Sequence, residues 1–180
     1  MNRDQLPTED EQFEAYAKVA RTMKGKPVVI RTLDIGADKV LSFSARKSLG
    51  MLPVGGDLAL NPALGLRAIR YCLAYPELFL TQLRAILRAS SVGTVAILVP
   101  MLAHVHEIEE ALAFVRRAKE QLKDRRQKFD ARVAVGGMIA APAAALELMA
   151  HIDTGVATQG VRRVLWITLA LNLAVSAGKV

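Results

Sequence analysis

The apolar residues follow helical spacing in some segments of the chain and form short unbroken runs in others. Phe13 and Tyr16 begin a series with the three- and four-residue spacing of one helix face. Thr8 and Glu11 fit a capping box just before it, and a glycine and a proline follow its last member. The spacing predicts a helix over residues 9–23.

Three short runs rich in β-branched residues predict strands, at residues 28–32, 95–101 and 132–139. Each run is too short for a helix and is bounded by turn residues. The runs are continuously apolar, whereas a strand with one face in water alternates apolar and polar residues. This pattern indicates a parallel sheet covered by helices on both faces, and therefore an α/β fold.

Helices are predicted between the strands. Asn61 is a good N-cap, Pro62 fits the first turn, and Leu66, Ile69 and Leu73 then share one face. Further helices are predicted from Pro76, over residues 104–127, and from Pro142 to about residue 150. Residues 34–61 fit neither period, so we expect an irregular exposed segment over residues 40–60, which is a binding loop or else mobile.

Composition narrows the class of protein. The 180 residues suffice for one domain, and 52% hydrophobic residues exclude intrinsic disorder. The single cysteine excludes an internal disulfide and a cysteine-rich zinc site. The acidic, polar start lacks the apolar region of a signal peptide, which favours a cytoplasmic protein. The net charge of +7 favours an anionic partner, but an aromatic content of 5% argues against nucleic acid.

Arginines are the candidate binding residues. Arg31 ends the first predicted strand, and Arg67 and Arg70 lie one turn apart on the predicted helix that follows Asn61. Because ligands collect at the carboxyl ends of parallel strands, we expect Arg31 and Arg67 on the same side of the sheet. Guanidinium groups that converge from separate elements suit a phosphate or carboxylate. The alternative is that these arginines pair with nearby acids or lie exposed.

Several segments resemble the enzyme I family of the bacterial sugar phosphotransferase system, which transfers phosphate from phosphoenolpyruvate. Residues 29–39, VIRTLDIGADK, resemble its R-T-x-D-I-G-x-D-K segment. The other matching segments are NPALGLRAIR at residues 61–70, QLRAILRAS at 82–90, VPM at 99–101 and PAAA at 142–145. They occur in the family's order over about residues 2–148, which makes the combination specific.

The resemblance implies a (β/α)₈ barrel that binds phosphoenolpyruvate and Mg²⁺ and passes the phosphoryl group to a histidine of a phosphocarrier system. Carried over by position, Arg31 and Arg67 would contact the phosphate of phosphoenolpyruvate or of another small anion. We therefore expect an incomplete (β/α)₈ TIM-barrel-like fold, with parallel strands and helices outside. We assign residues 1–150 to this partial barrel.

The departures from the family pattern concern the chemistry. Ala140 stands where the family has a magnesium-binding glutamate, which makes Mg²⁺ binding doubtful here. After about Leu148 the family's remaining metal-binding acid and catalytic cysteine have no counterpart. Cys72 lies in a different segment, where a small core residue is expected, and we assign no catalytic or metal-binding residue. The three histidines, His104, His106 and His151, are expected to be surface or capping residues.

We therefore expect a truncated relative that is inactive alone. The alternative is a non-catalytic fragment that binds an anion or a protein. A half barrel leaves two open sheet edges, so we expect the chain to form a homodimer, to be completed by its tail, or to be only marginally stable.

Residues 151–180 are different material, a divergent tail that we expect to form an apolar helix. Its uncharged run, residues 164–178, is shorter than the roughly 20 residues of a membrane span. A buried or docking helix is favoured over peripheral membrane contact or a tail without an evolved role.

Overall fold

The computed structural model describes residues 6–34 and 66–139. Its helices are α1 (Glu9–Thr22), α2 (Ala68–Ala74), α3 (Pro76–Ala89) and α4 (Val105–Asp124). Its strands are β1 (Val28–Arg31), β2 (Val95–Leu102) and β3 (Ala134–Ile139). All three predicted strands are present, and the predicted helices at residues 9–23, from Pro76 and at 104–127 are confirmed within a few residues at their ends.

Helix α1 begins as its sequence predicts. Glu11 donates its backbone N–H to Thr8 Oγ1 at 3.2 Å, and the Glu11 carboxylate accepts the backbone N–H of Thr8 at 2.9 Å. This reciprocal capping box satisfies two backbone donors that the first helical turn leaves without partners.

The three strands form one parallel sheet in the order β1-β2-β3. Val28 pairs with Val95 and Ile30 with Ile97, and Ile97 pairs in turn with Val135 on β3. Each strand is therefore the neighbour of the next in sequence, with helices in the connections. This topology places the ends of β1 and β2 at the same edge of the sheet.

The described helices cover one face of this sheet. Ile30, Val95, Ile97 and Val99 point to that face and belong to the main hydrophobic core with α3 and α4. On the opposite face Val29 is 53% exposed. Within the described residues, helices on the second face of the sheet are not found. Strands that follow one another in order place their crossover helices on a single side.

The start of α2 also differs from the expectation. A single helix running from Asn61 to Leu73 is excluded, because Arg67 has extended backbone with φ −147° and ψ 156°. Ala68 follows with a left-handed φ of 51°, which cannot continue a right-handed helix backwards. Leu66, which the spacing had placed on the apolar helix face, is 52% exposed.

Several predictions lie outside the described residues. These are the cap at Asn61, the irregular segment 40–60, the position of Ala140, the helix from Pro142, His151 and the tail 151–180. Within the described ranges, no helix is long and apolar enough to cross a membrane.

Candidate anion-binding site

The two predicted binding arginines meet at one carboxylate. Arg31 ends β1, and Asp34 lies three residues later, with Arg31 Nη1 at 3.8 Å from Asp34 Oδ2. Arg67, the residue before α2, places its Nε at 2.9 Å from Asp34 Oδ1 and donates a hydrogen bond to it. Two guanidinium groups from segments more than thirty residues apart therefore converge at the carboxyl end of β1.

The side chains of Asp34, Arg67 and Arg31 differ in their exposure to solvent, from the mostly buried Asp34 to the half-exposed Arg31. The Asp34 side chain is 12% exposed, that of Arg67 23% and that of Arg31 52%. A carboxylate sheltered from water is stabilised by adjacent cations more strongly than one at the surface. The alternative that these arginines pair with a nearby acid is thus confirmed for this structure, and the formal charge of the trio is +1.

Arg70, the third arginine of the prediction, contacts the start of α4. Its Nε lies 3.9 Å from Glu107 Oε1, and Glu107 is mostly buried. The other Glu107 oxygen accepts the backbone N–H groups of Ala103 and His104, at 2.7 and 3.2 Å. Arg70 therefore joins α2 to the loop that follows β2, next to the carboxyl end of the sheet.

Gln82, the first residue of the QLRAILRAS motif, contributes to the site although no role was predicted for it. It lies on α3, is 9% exposed, and its Oε1 accepts the backbone N–H of Leu33 at 2.9 Å. Leu33 lies between Arg31 and Asp34. The available signal was a polar residue on a helix face that is otherwise buried, beside Phe79 and Leu83. Nothing in the sequence shows that its partner is 49 positions away.

Cys72 is a buried core residue, as predicted. It is fully buried, and its Sγ lies 3.9 Å from the carbonyl oxygen of Leu33. Burial, with a smaller contribution from the negative charge of Asp34, raises the pKa of the thiol to about 12. The group is therefore a neutral thiol at physiological pH, and not a nucleophile or an acid–base group.

Of the histidines in the described ranges, His104 caps a helix and His106 lies on the surface. His104 is the N-cap of α4, with extended backbone, and His106 is exposed with its Nε2 3.5 Å from Glu110 Oε2. Both fit the expectation of capping or surface residues.

The magnesium ion that the resemblance implies does not fit the described residues. In residues 6–34 and 66–139, no three histidine, cysteine or acidic side chains lie close enough together to hold a metal ion. Asp34, the acid at the end of β1, is engaged by two arginines. The described part of the chain therefore brings two arginines together at Asp34 and contains no cluster of three metal-binding side chains.

Comparison with known proteins identifies the family. Residues 1–154 match the family described as PEP-utilising enzyme, PEP-binding domain. The chain is 53% identical over 146 residues to the phosphoenolpyruvate-protein phosphotransferase of Cupriavidus necator, and 49% identical to that of Bacillus subtilis. A relative of the same name from Staphylococcus aureus is 48% identical over 145 residues.

These alignments cover 81% of this chain, and the chain spans 24% of the length of the curated relatives it matches. The resemblance drawn from the arginine-containing motifs is confirmed. On this evidence the chain belongs to the PEP-binding domain family of the PEP-utilising enzymes.

Proposed function

We propose that this chain binds phosphoenolpyruvate through Arg31 and Arg67 at the carboxyl end of β1. The convergence of the two guanidinium groups on Asp34 carries the proposal, because it shows that both side chains reach one point. Phosphoenolpyruvate carries a phosphate and a carboxylate, and both groups accept paired hydrogen bonds from guanidinium. The net positive charge of the trio favours such an anion.

Asp34 gives the site its selectivity between anions in this proposal. An incoming phosphate must compete with the Asp34 carboxylate for Arg67 Nε, which Asp34 contacts at 2.9 Å. A dianion competes better than a monovalent ion, because it gains more Coulomb energy from the two arginines. We therefore expect binding that weakens with salt and that prefers phosphate esters to chloride or acetate.

We further propose that the sheet is one part of a (β/α)₈ barrel formed by residues 1–150. The order β1-β2-β3 and the helices on one face support this, since barrel strands follow one another in sequence with helices outside. The divergent tail, residues 151–180, is proposed to form a docking helix. A second copy of the chain could cover the edges of an incomplete barrel.

In this proposal, the full-length relatives carry out phosphoryl transfer to a phosphocarrier protein, supported by Mg²⁺ in the cytoplasm. The present chain provides phosphate-binding residues for that reaction and holds the ligand without transferring it. The support is that Arg31 and Arg67 converge on Asp34, while Cys72 is buried and protonated.

Calorimetric titration with phosphoenolpyruvate tests the proposal. We expect Arg67→Ala to weaken binding about tenfold or more, as removal of a charge-assisted hydrogen bond typically does. Arg117→Ala is the matched control, because Arg117 is an exposed arginine on α4. Equal affinities of the Arg67→Ala and Arg117→Ala chains would refute the assignment of the site.

A further inference from the structure

We infer that Gln82 is a positioning residue for the anion site, one that acts through the backbone of Leu33. The inference rests on the proposed role of Arg31 and Arg67. It concerns how the segment between Arg31 and Asp34 is held in the conformation that brings the two arginines together.

This segment leaves the sheet at the residue where the site begins. The last backbone bond between β1 and β2 on this side is the Thr32 N–H donated to the Leu98 carbonyl oxygen at 2.9 Å. The next residue, Leu33, is partly buried and finds its partners in side chains. Gln82 accepts its N–H at 2.9 Å, and Cys72 Sγ lies 3.9 Å from its carbonyl oxygen.

Gln82 also connects this turn to α1. Its Nε2 donates to the Tyr16 hydroxyl oxygen at 3.2 Å, and the Tyr16 hydroxyl lies 3.4 Å from Gln12 Oε1. The amide oxygen of Gln82 thus accepts a hydrogen bond from Leu33, and the amide nitrogen donates one to Tyr16 on α1. The two ends of the amide serve different partners, so they can be tested separately.

A buried backbone N–H without a partner is strongly disfavoured. If Gln82 loses its acceptor, the Leu33 N–H must find water, and the segment that carries Arg31 and Asp34 must move to allow it. A shift of the order of 1 Å is enough to separate guanidinium groups that bind one ligand together. Loss of the Gln82 acceptor should therefore lower the affinity for the anion as well as the stability of the chain.

Two variants separate positioning from a purely structural role. Gln82→Met keeps the length and shape of the side chain and removes the acceptor for Leu33. Tyr16→Phe is the control, because it disrupts the same network at α1 and leaves the bond between Gln82 and Leu33. We expect Gln82→Met to weaken phosphoenolpyruvate binding at least fivefold, and Tyr16→Phe to change it less than twofold.

The measurement is a titration of the full chain with phosphoenolpyruvate, followed by backbone amide NMR, with urea unfolding of each variant alongside. Equal affinity of Gln82→Met and wild type would overturn the inference and leave the proposed function intact. Equal losses in both variants, in proportion to their loss of stability, would reduce Gln82 to a structural role and also overturn it. Failure of wild type to bind, or of Arg67→Ala to weaken binding, would instead refute the proposed function.

Hydrogen exchange of the wild-type chain covers the case in which Gln82→Met does not fold. We expect the Leu33 amide to exchange at least a hundredfold more slowly than an exposed amide, and more slowly still with phosphoenolpyruvate bound. Exchange at the rate of an exposed amide would show that Gln82 does not hold this N–H, and would overturn the inference without any variant.

Discussion

The negative charge of Asp34 has opposite effects on the charged states of Arg67 and Cys72. Arg67 is drawn into an ion pair, whereas the Cys72 thiol on α2 is kept neutral by burial and by the same negative charge. An anion that binds to the arginines would add charge to this region and would reinforce the neutral state of Cys72. The thiol of Cys72 therefore stays protonated and unreactive although it lies close to the proposed anion site.

The burial of Cys72 predicts that its thiol reacts slowly in the folded chain. Because its pKa is about 12, its thiolate population at pH 8 is negligible, and the folded chain should resist alkylation. We expect iodoacetamide at pH 8 to leave the folded chain unmodified for hours and to label it rapidly in urea, as mass spectrometry can show. Rapid labelling of the folded chain would contradict the burial of this side chain.

Part of the site could be predicted from the sequence, and part of it could not. Arg31 and Arg67 were identified from a strand end and a motif, and the structure brings them to the same carboxylate. Gln82 was quoted only as part of a family motif, and its role was not predicted, because that role depends on Leu33, which is close in space and far in sequence. A pattern along the chain reports local spacing, and a hydrogen bond between distant segments leaves no such pattern.

Ion pairs between the carboxylate of Glu9 and several arginines hold three helices together. The carboxylate of Glu9 accepts from Arg84 Nε at 2.6 Å and from Arg88 Nη1 at 2.9 Å, both on α3. Arg125 at the end of α4 adds a third contact at 3.2 Å, and Arg88 also lies over the ring of Phe13, 4.3 Å from its centroid. One acid at the start of α1 thus fixes three helices.

Glu9 gives the second prediction. Burial alone would raise the pKa of Glu9, but hydrogen bonds from Arg84 and Arg88 outweigh it and lower the pKa below its ordinary value of 4.5. A lowered pKa contributes stability above the unfolded-state pKa, and this contribution is lost as pH falls below about 4.5 through the folded-state value. We expect Glu9→Gln to lower the free energy of unfolding at pH 7 by about 2 kcal/mol, between the values for surface and buried pairs.

Urea unfolding at pH 7 and at pH 3 is the measurement, with Glu14→Gln, an exposed acid on the same helix, as the control. The difference between Glu9→Gln and wild type should shrink at pH 3, because Glu9 of the unfolded chain is protonated there and the lowered pKa of the folded chain contributes less stability. A difference that is equal at both pH values would show that the ion pairs do not stabilise the chain.

Element boundaries were predictable where the cause is local. The capping box at Thr8 and the β-branched runs were identified correctly, because their signals lie within a few residues. The beginning of α2 was not, since Ala68 has a left-handed φ of 51° and Arg67 an extended backbone, and neither residue type signals this. The ion pair of Arg67 with Asp34, a tertiary contact, accompanies that break.

The described parts of the chain combine the proposed anion site at the carboxyl end of β1 with a packed layer of helices. The sheet order places the ends of β1 and β2 beside α2, where Arg67 and Arg70 lie. The hydrophobic core is formed by strand residues together with α2, α3 and α4, and includes Ile69 and Cys72 of α2. We expect a variant of the proposed site such as Arg67→Ala to leave the fold intact, because the Arg67 side chain is partly exposed and does not belong to this core.

The last prediction concerns turnover by the whole chain. We expect the purified chain, supplied with Mg²⁺, to bind phosphoenolpyruvate and to release no pyruvate. Electrostatic stabilisers of a transition state are each worth about 10²–10³ in rate, and parts that act as a unit leave only residual activity when some are missing. Ala140 has a methyl group where the resemblance implies a metal-binding glutamate, and a methyl group cannot ligate Mg²⁺.

The sulfur of Cys72 cannot take over proton transfer, because its pKa is about 12 and the side chain is fully buried. Restoring the acid by Ala140→Glu should therefore leave turnover at the level of the Arg67→Ala control, since a single ligand does not complete a metal site or supply an acid–base group. A coupled pyruvate assay compares the three chains. Steady pyruvate release by wild type above the Arg67→Ala chain would show that this part of the protein carries out the chemistry itself, and not only the binding of phosphate.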